Sequence, residues 1–176
     1  MKVSAETRNM VLDCIQDMVE PKIHLRDMLV PVDYSDGSEK AMHYARPFAE
    51  LFNARITLVH VVESWARFHY GGFVPVGMSG VSVGTRGYQA FQENLKNWAT
   101  RAIPADYLGN LVIRSGPVNE EICEAADEMK TDLIIMSTHG HTGLRHAVLG
   151  STTEKVVQHA PCPVLVVREI EHDFVD

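Results

Sequence analysis

The 176-residue chain contains no apolar run approaching the roughly 20 residues needed to cross a bilayer, so membrane insertion is not expected. Cysteine is scarce. Cys14, Cys123 and Cys162 are odd in number and far apart, with no Cys-x-x-Cys pair, which argues against a disulfide framework or a thiolate zinc site and reads as reduced, structural thiols. The first residues set Glu6, Arg8, Asp13 and Asp17 among apolar ones and so lack the uninterrupted apolar core of a secretory signal. A cytoplasmic location is expected. Positive charge is outweighed, with 16 Lys and Arg against 23 Asp and Glu and a net charge of -7. An acidic chain has no general pull towards nucleic-acid phosphates, so no nucleic-acid partner is expected, and any bound phosphate must be held by local backbone and a few side chains. Also absent are Gly-x-x-x-x-Gly-Lys-[Ser/Thr] and a Gly-x-Gly-x-x-Gly after the first strand. Their absence removes the P-loop NTPase and dinucleotide-binding readings, and with the first the usual lysine for γ-phosphate chemistry. An adenylating enzyme would need a nucleophile or acceptor site that is not evident, and no catalytic residue is assigned.

What is present is the composition of one globular domain, 45% hydrophobic and 22% charged. Met10, Val11, Cys14, Ile15 and Met18 recur at helical spacing, predicting an amphipathic helix over 6–19 that packs on this domain, on a second copy or on a partner. The organisation expected is an N-terminal helical extension over 1–25, one domain over 26–168 and an acidic tail over 169–176. Within the domain, Met28 to Val32 reads as a buried strand with Asp33 at its carboxyl end, followed by the turn-forming Ser35-Asp36-Gly37-Ser38. The next helix presents Ala41, Ala45, Phe48, Ala49 and Phe52, and Pro47 within it is expected to kink it. Ile56 to Val62 is a second, β-branched strand. From Gly71 to Gly87 six glycines and no helical period predict a long loop whose role the sequence leaves open.

Tyr88, Phe91, Leu95, Trp98 and Ala102 mark a further helix, and Leu108 to Arg114 a third strand. Pro117 suits a first helical position, with Val118, Ile122, Ala125, Ala126 and Met129 as the buried stripe behind it. Leu133 to Met136 is a fourth strand, 151–160 a short helix and Pro163 to Val167 a fifth strand. Regular alternation of apolar strands with helices, joined by right-handed crossovers, predicts a parallel α/β sheet covered on both faces.

The segment carrying chemistry runs from Ser137 through Thr138, His139, Gly140, His141, Thr142 and Gly143 to Gly150, Ser151, Thr152, Thr153 and Glu154, between a strand and a helix. Ser151 and Glu154 have capping-box spacing, so Ser151 is expected to begin the helix and leave neighbouring N–H groups pointing into the loop. A helix start of this kind attracts anions. Gly140 and Gly143 let amides curl round a phosphate, Gly150 admits close approach, and the hydroxyls of Ser151 and Thr152 can add bonds. Glycine at turns and serine at caps are also common for purely structural reasons, so spacing alone leaves both readings open.

The order Val30-Pro31-Val32-Asp33-Tyr34-Ser35, His60-Val61, Ile135 to Gly143 followed six residues later by Gly150-Ser151, and Ala160-Pro161-Cys162-Pro163-Val164-Leu165-Val166-Val167 resembles the universal stress protein family over about residues 26–168. The resemblance implies a five-stranded parallel sheet of order 3-2-1-4-5, Rossmann-like, with helices on both faces, and a homodimer through the C-terminal strand, Pro163 to Val167. The ATP-binding members carry Gly-x2-Gly-x9-Gly-[Ser/Thr]. Here the second and third glycines fall on Gly140 and Gly150 and the hydroxyl on Ser151, while the first falls on Ser137, a departure. The resemblance further implies that Asp33 contacts ribose and that backbone near Val32 and Val61 meets adenine. The implied nucleotide set is Pro31, Val32, Asp33, Val61, Met136, Ser137, His139, Gly140, Gly143, Gly150, Ser151 and Thr152. ATP, ADP or AMP is the implied ligand, with Mg2+ as a companion of the nucleotide.

Plainer readings stand beside these. Asp33 could cap the turn after its strand. His139, His141 and His146 lack a carboxylate or thiolate at metal-site spacing and are assigned to no metal. Arg145 reads as a surface residue and Cys162 as a packing one. Two functions remain open at this point. One is a nucleotide-binding stress or signalling module with little or no hydrolysis; the other is a structural homodimeric adaptor of the same fold, serving an unknown protein partner, whose pocket Ser137 and the long loop have closed.

Overall fold

The computed structural model describes residues 23–62, 85–138, 149–168 and 175. The helix expected over 6–19, the glycine-rich segment up to residue 84, the acidic tail apart from Val175, and His139, Gly140 and Gly143 with their neighbours lie outside the described residues.

Among the described residues five strands and four helices alternate: β1 Asp27–Pro31, α1 Asp36–Phe52, β2 Arg55–Val62, α2 Thr85–Ala102, β3 Leu108–Ser115, α3 Val118–Glu128, β4 Leu133–Ser137, α4 Ser151–His159 and β5 Val164–Val167, with a short 3-10 turn at Ala105–Tyr107. The strands form one sheet in the order β3-β2-β1-β4-β5, every neighbouring pair parallel. The expected fold is the observed one. Among the described residues no helix is long and apolar enough to cross a membrane.

Because both faces of the sheet are covered, successive strand residues enter two separate cores. Met28, Val30, Ile56, Leu58 and Ile135 pack with Ala41, Ala45 and Ala49 of α1 and Leu95, Trp98 and Ala99 of α2. Leu29, Val59, Ile134 and Met136 pack on the other face with Ile122, Ala125 and Ala126 of α3 and Val156 of α4. The α3 stripe is the one its spacing predicts, with Val118 and Met129 half-buried at its ends. Cys123 and Cys162 are free and half-buried beside this second core, and burial pushes both thiols up. A raised thiol holds little nucleophilic thiolate, which agrees with a packing role.

Helix ends differ from expectation in specific ways. Ser35 to Ser38 is a cap rather than a free turn: Ser35 is the N-cap of α1, its hydroxyl accepting from the Ser38 N–H. The helix continues through Pro47 to Phe52 and closes on Asn53 in the left-handed region at φ 51°. Pro117 stands one residue outside α3 as its N-cap, where its missing N–H costs nothing. The capping box at Ser151 does not form. Gly150 is the N-cap of α4 and its carbonyl accepts from the Glu154 N–H at 2.9 Å, so Ser151 becomes the first helical residue. The shift follows from crowding: Gly150 donates its N–H to the Thr138 carbonyl at 2.9 Å, and a Cβ there would stand 2.6 Å from that oxygen. Only glycine fits this approach. Gly109 plays a comparable part on β3. The β2–β3 register shifts between Ile56 and Leu58, and a Cβ at Gly109 would stand 2.9 Å from Thr57 Oγ1, the atom that accepts from the Asn110 N–H.

Three outcomes test this packing. Leu29 and Ile134 are fully buried, opposite one another in register and in the same core, so Ile134→Ala should lower stability by about 3 kcal/mol in urea unfolding. Leu51, which is 76% exposed, should tolerate alanine within about 0.5 kcal/mol. Gly150→Ala should cost about 1–3 kcal/mol, because the atom it meets is backbone and cannot swing away.

Candidate functional site

The sheet winds outward from β1 in both directions, towards β2 and β3 on one side and β4 and β5 on the other. Between β1 and β4, where the direction of winding reverses, the ladder pairs only Met28 with Leu133 and Leu29 with Ile134, whereas β1 and β2 pair from Asp27↔Arg55 to Pro31↔Val59. The two central strands therefore part towards their carboxyl ends. A crevice at such a reversal is where open α/β sheets take ligands.

On the β1 side the crevice begins with Pro31 and Val32. Val32 donates its N–H to the Val59 carbonyl at 2.8 Å and accepts at its own carbonyl from His60 Nδ1 at 2.7 Å. A carbonyl can only accept, so the proton of a neutral His60 ring sits on Nδ1. Asp33 follows. Its Oδ1 accepts from the Ser35 N–H at 3.1 Å and from the hydroxyls of Ser35 and Ser38, each at 2.5 Å, while its own N–H donates to Ser38 Oγ at 3.0 Å. The plainer reading of Asp33 is thus realised at Oδ1, which ties the end of β1 to the cap of α1. A carboxylate held this way has a fixed orientation at the mouth of the crevice.

Val61 stands on the next strand. Alternation along β2 turns the Val59 carbonyl towards β1 and the Val62 carbonyl, which accepts from Gly116, towards β3. By the same alternation the N–H and C=O of Val61 turn to the β1 side, beyond the point where the β1–β2 ladder has ended. They present one donor and one acceptor a peptide's width apart.

The far wall comes from β4 and α4. Met136 is buried in the second core. Ser137 gives its carbonyl to the Thr153 hydroxyl at 2.9 Å, and Thr138, also buried, donates to the Val167 carbonyl at 2.9 Å and accepts from Gly150. These bonds clasp the start of α4 to the end of β4. At the helix start the N–H groups of Ser151, Thr152 and Thr153 precede the first helical bond and have no helical acceptor, and the Ser151 side chain is exposed. The positive end of the α4 dipole faces the same end of the sheet as Asp33.

Of the residues singled out from sequence, the structure brings Pro31, Val32, Asp33, Val61, Met136, Ser137, Gly150, Ser151 and Thr152 to one end of the sheet. His139, Gly140 and Gly143 lie outside the described residues. Sequence reasoning missed Thr153, whose hydroxyl locks α4 to β4, and the ring of His60, whose presence in an otherwise apolar strand was the available signal. It also missed Tyr34, which has a left-handed φ of 64° and packs its ring against His60, tilted by 43° with 4.8 Å between ring centroids. Among the described residues no cluster of His, Cys, Asp or Glu is arranged to hold a metal ion.

Comparison with known proteins agrees with this architecture. A universal stress protein of Methanocaldococcus jannaschii is 33% identical over 153 residues, 82% of this chain and 82% of its own length. Among solved structures, a universal stress protein in complex with cAMP superposes with a TM-score of 0.59 at 21% identity, over 84% of this chain and all of the other. The Archaeoglobus fulgidus universal stress protein in complex with dAMP gives a TM-score of 0.55 at 21% identity, over 82% of this chain and 98% of the other. The model of the universal stress protein family matches residues 24–168, and the chain belongs to that family.

Proposed function

We propose that the chain binds ATP or a related adenine nucleotide in the β1/β4 crevice and acts as a stress or signalling module, with hydrolysis slow or absent. The observation that carries this reading is the convergence at one crevice of the N–H-rich start of α4 with the ends of β1 and β2. Each part suits a different portion of the ligand. The Val61 N–H and C=O match the acceptor and donor on an adenine edge, the fixed Asp33 carboxylate suits a ribose hydroxyl, and the α4 N-terminus with Ser151 and Thr152 suits phosphate. Gly140 and Gly143 would add backbone donors, and Mg2+ would accompany the phosphates. The complexes of similar proteins with cAMP and dAMP support an adenine nucleotide as the ligand class.

A second reading, an adaptor without nucleotide, draws on two features. Asp33 Oδ1 is already bonded within its own turn, and β5 is an edge strand whose Val164, Leu165 and Val166 are half-exposed and open to pairing with a second copy.

Calorimetry with ATP, ADP and AMP, with and without Mg2+, separates the two. Saturable binding is expected, and ligand at 100 times Kd should stabilise the fold by about 2.7 kcal/mol. Gly140→Val should weaken binding at least about tenfold by placing a branched side chain where backbone must approach phosphate. Ser137→Gly should leave affinity equal or raise it. No heat and no thermal shift with any of the three nucleotides would sink the nucleotide reading and leave the adaptor.

A further inference from the structure

One edge of the sheet is β3, and the side chains it sends to the α1–α2 face are incompletely covered. Ile56 and Leu58 of β2 have no exposed surface, whereas their register partners Leu108 and Leu111 on β3, and Ile113 beyond them, are half-buried. Leu111 and Ile113 line a groove of about 390 Å³ whose other wall is α2, with the buried Leu95 and the exposed Gln92, Glu93 and Lys96. Among the described residues no strand pairs with β3 on its outer side. An apolar strip beside an open strand edge invites pairing with foreign chains, and native folds cover such edges.

We infer that the amphipathic helix expected over 6–19 seats its apolar stripe, Met10, Val11, Cys14, Ile15 and Met18, in the groove between α2 and β3 of its own chain. Leu25, six residues beyond that helix, is buried in the core on the α1–α2 face, so the chain enters the sheet on the face that carries the groove. Met28, Ile56 and Leu108 stand side by side in register, which puts the foot of the apolar strip two strands, about 10 Å, from Met28. The six residues from Val19 to Leu25 reach up to about 20 Å, enough to cross that offset. The lengths also agree. Fourteen helical residues extend about 21 Å, and the strip from Leu108 to Ile113 about 17 Å. With the stripe in the groove, Asn9, Asp13 and Gln16 fall on the opposite side of the helix, towards water. A tether this short holds the helix at an effective concentration near the millimolar range, above what a second copy supplies at micromolar protein. The docking lies at β3, two strands from β1, and does not depend on nucleotide binding.

The test is disulfide trapping in the full chain, with Cys14 as the native thiol on the stripe and with Cys123→Ala and Cys162→Ala removing the other two. A second cysteine enters by Gln92→Cys or Lys96→Cys on the groove, or by Leu51→Cys or Val157→Cys as controls. All four positions are exposed, so the fold tolerates them. Oxidised glutathione is the oxidant, and non-reducing electrophoresis with peptide mass mapping reads the product. Gln92→Cys or Lys96→Cys should form an intrachain disulfide with Cys14 at least about tenfold faster than either control, since the bond needs Cα atoms within about 7 Å. Ile15→Asp, which sets a charge in the stripe, should slow that cross-link at least about tenfold and, with the native cysteines, lower the melting temperature by at least about 3 °C. Asn9→Ala should change neither. Four results overturn the proposal: no intrachain disulfide from either groove position, an equal or faster one from Leu51→Cys or Val157→Cys, a product that is mainly between two chains, or an Ile15→Asp chain that cross-links and melts as the parent does.

Discussion

Both faces of a parallel sheet must be covered, and right-handed crossovers that advance in one direction can cover only one of them. The rest of this structure follows from that constraint. Stepping from β1 to β2 to β3 lays α1 and α2 on one face. Reaching the other face requires the chain to return past β1 and step the opposite way through β4 and β5, which puts α3 and α4 there. The reversal leaves β1 and β4 adjacent with connections that diverge to opposite faces, and the crevice between their ends is unavoidable.

How the crevice is kept in shape is a matter of a few bonds rather than of bulk packing. The start of α4 is tied back to the end of β4 by Gly150 on Thr138 and by Thr153 on Ser137. Opposite, Asp33 joins the end of β1 to the cap of α1 through two serines. Thr153 in the first tie, and Asp33 with its serines in the second, use side chains to satisfy backbone groups where regular ladders stop, and both ties orient the atoms that face the crevice. The central strands supply the rigidity these ties need: Met28, Leu29 and Val30 of β1 have no exposed surface.

Much of this was legible in the sequence, for physical reasons. Strands buried on both faces must be uninterrupted apolar runs, so β1, β2 and β4 stand out at sight, and the α3 stripe follows from its 3.6-residue period. The strand order came from the loop motif and its family resemblance, since apolar runs alone do not say which strand lies beside which. What failed were features set by close approach in three dimensions. Ser151 has every local mark of an N-cap, yet the cap is Gly150, because the Thr138 carbonyl occupies the space a side chain would need. The part of Gly109, which lets β3 settle against Thr57, has no mark in the sequence at all. Asp33 was placed at the correct strand end, but its serine partners emerged only with the coordinates.

Tyr34 joins these levels. It follows the aspartate that closes β1, and a left-handed residue at that point is what turns the chain from the strand into the cap of α1. Glycine would make the turn without strain. Tyrosine at φ 64° is retained against that preference by what surrounds it: the Asp33–Ser35–Ser38 bonds on either side along the chain, and the His60 ring, itself held by the Val32 carbonyl and stacked on Phe91 of α2 at 5.6 Å. The same turn therefore fixes the carboxylate at the crevice and sets the Tyr34 ring against His60. A change of backbone at Tyr34 would disturb both, so the orientation of the Asp33 carboxylate and the Tyr34–His60–Phe91 packing depend on one residue.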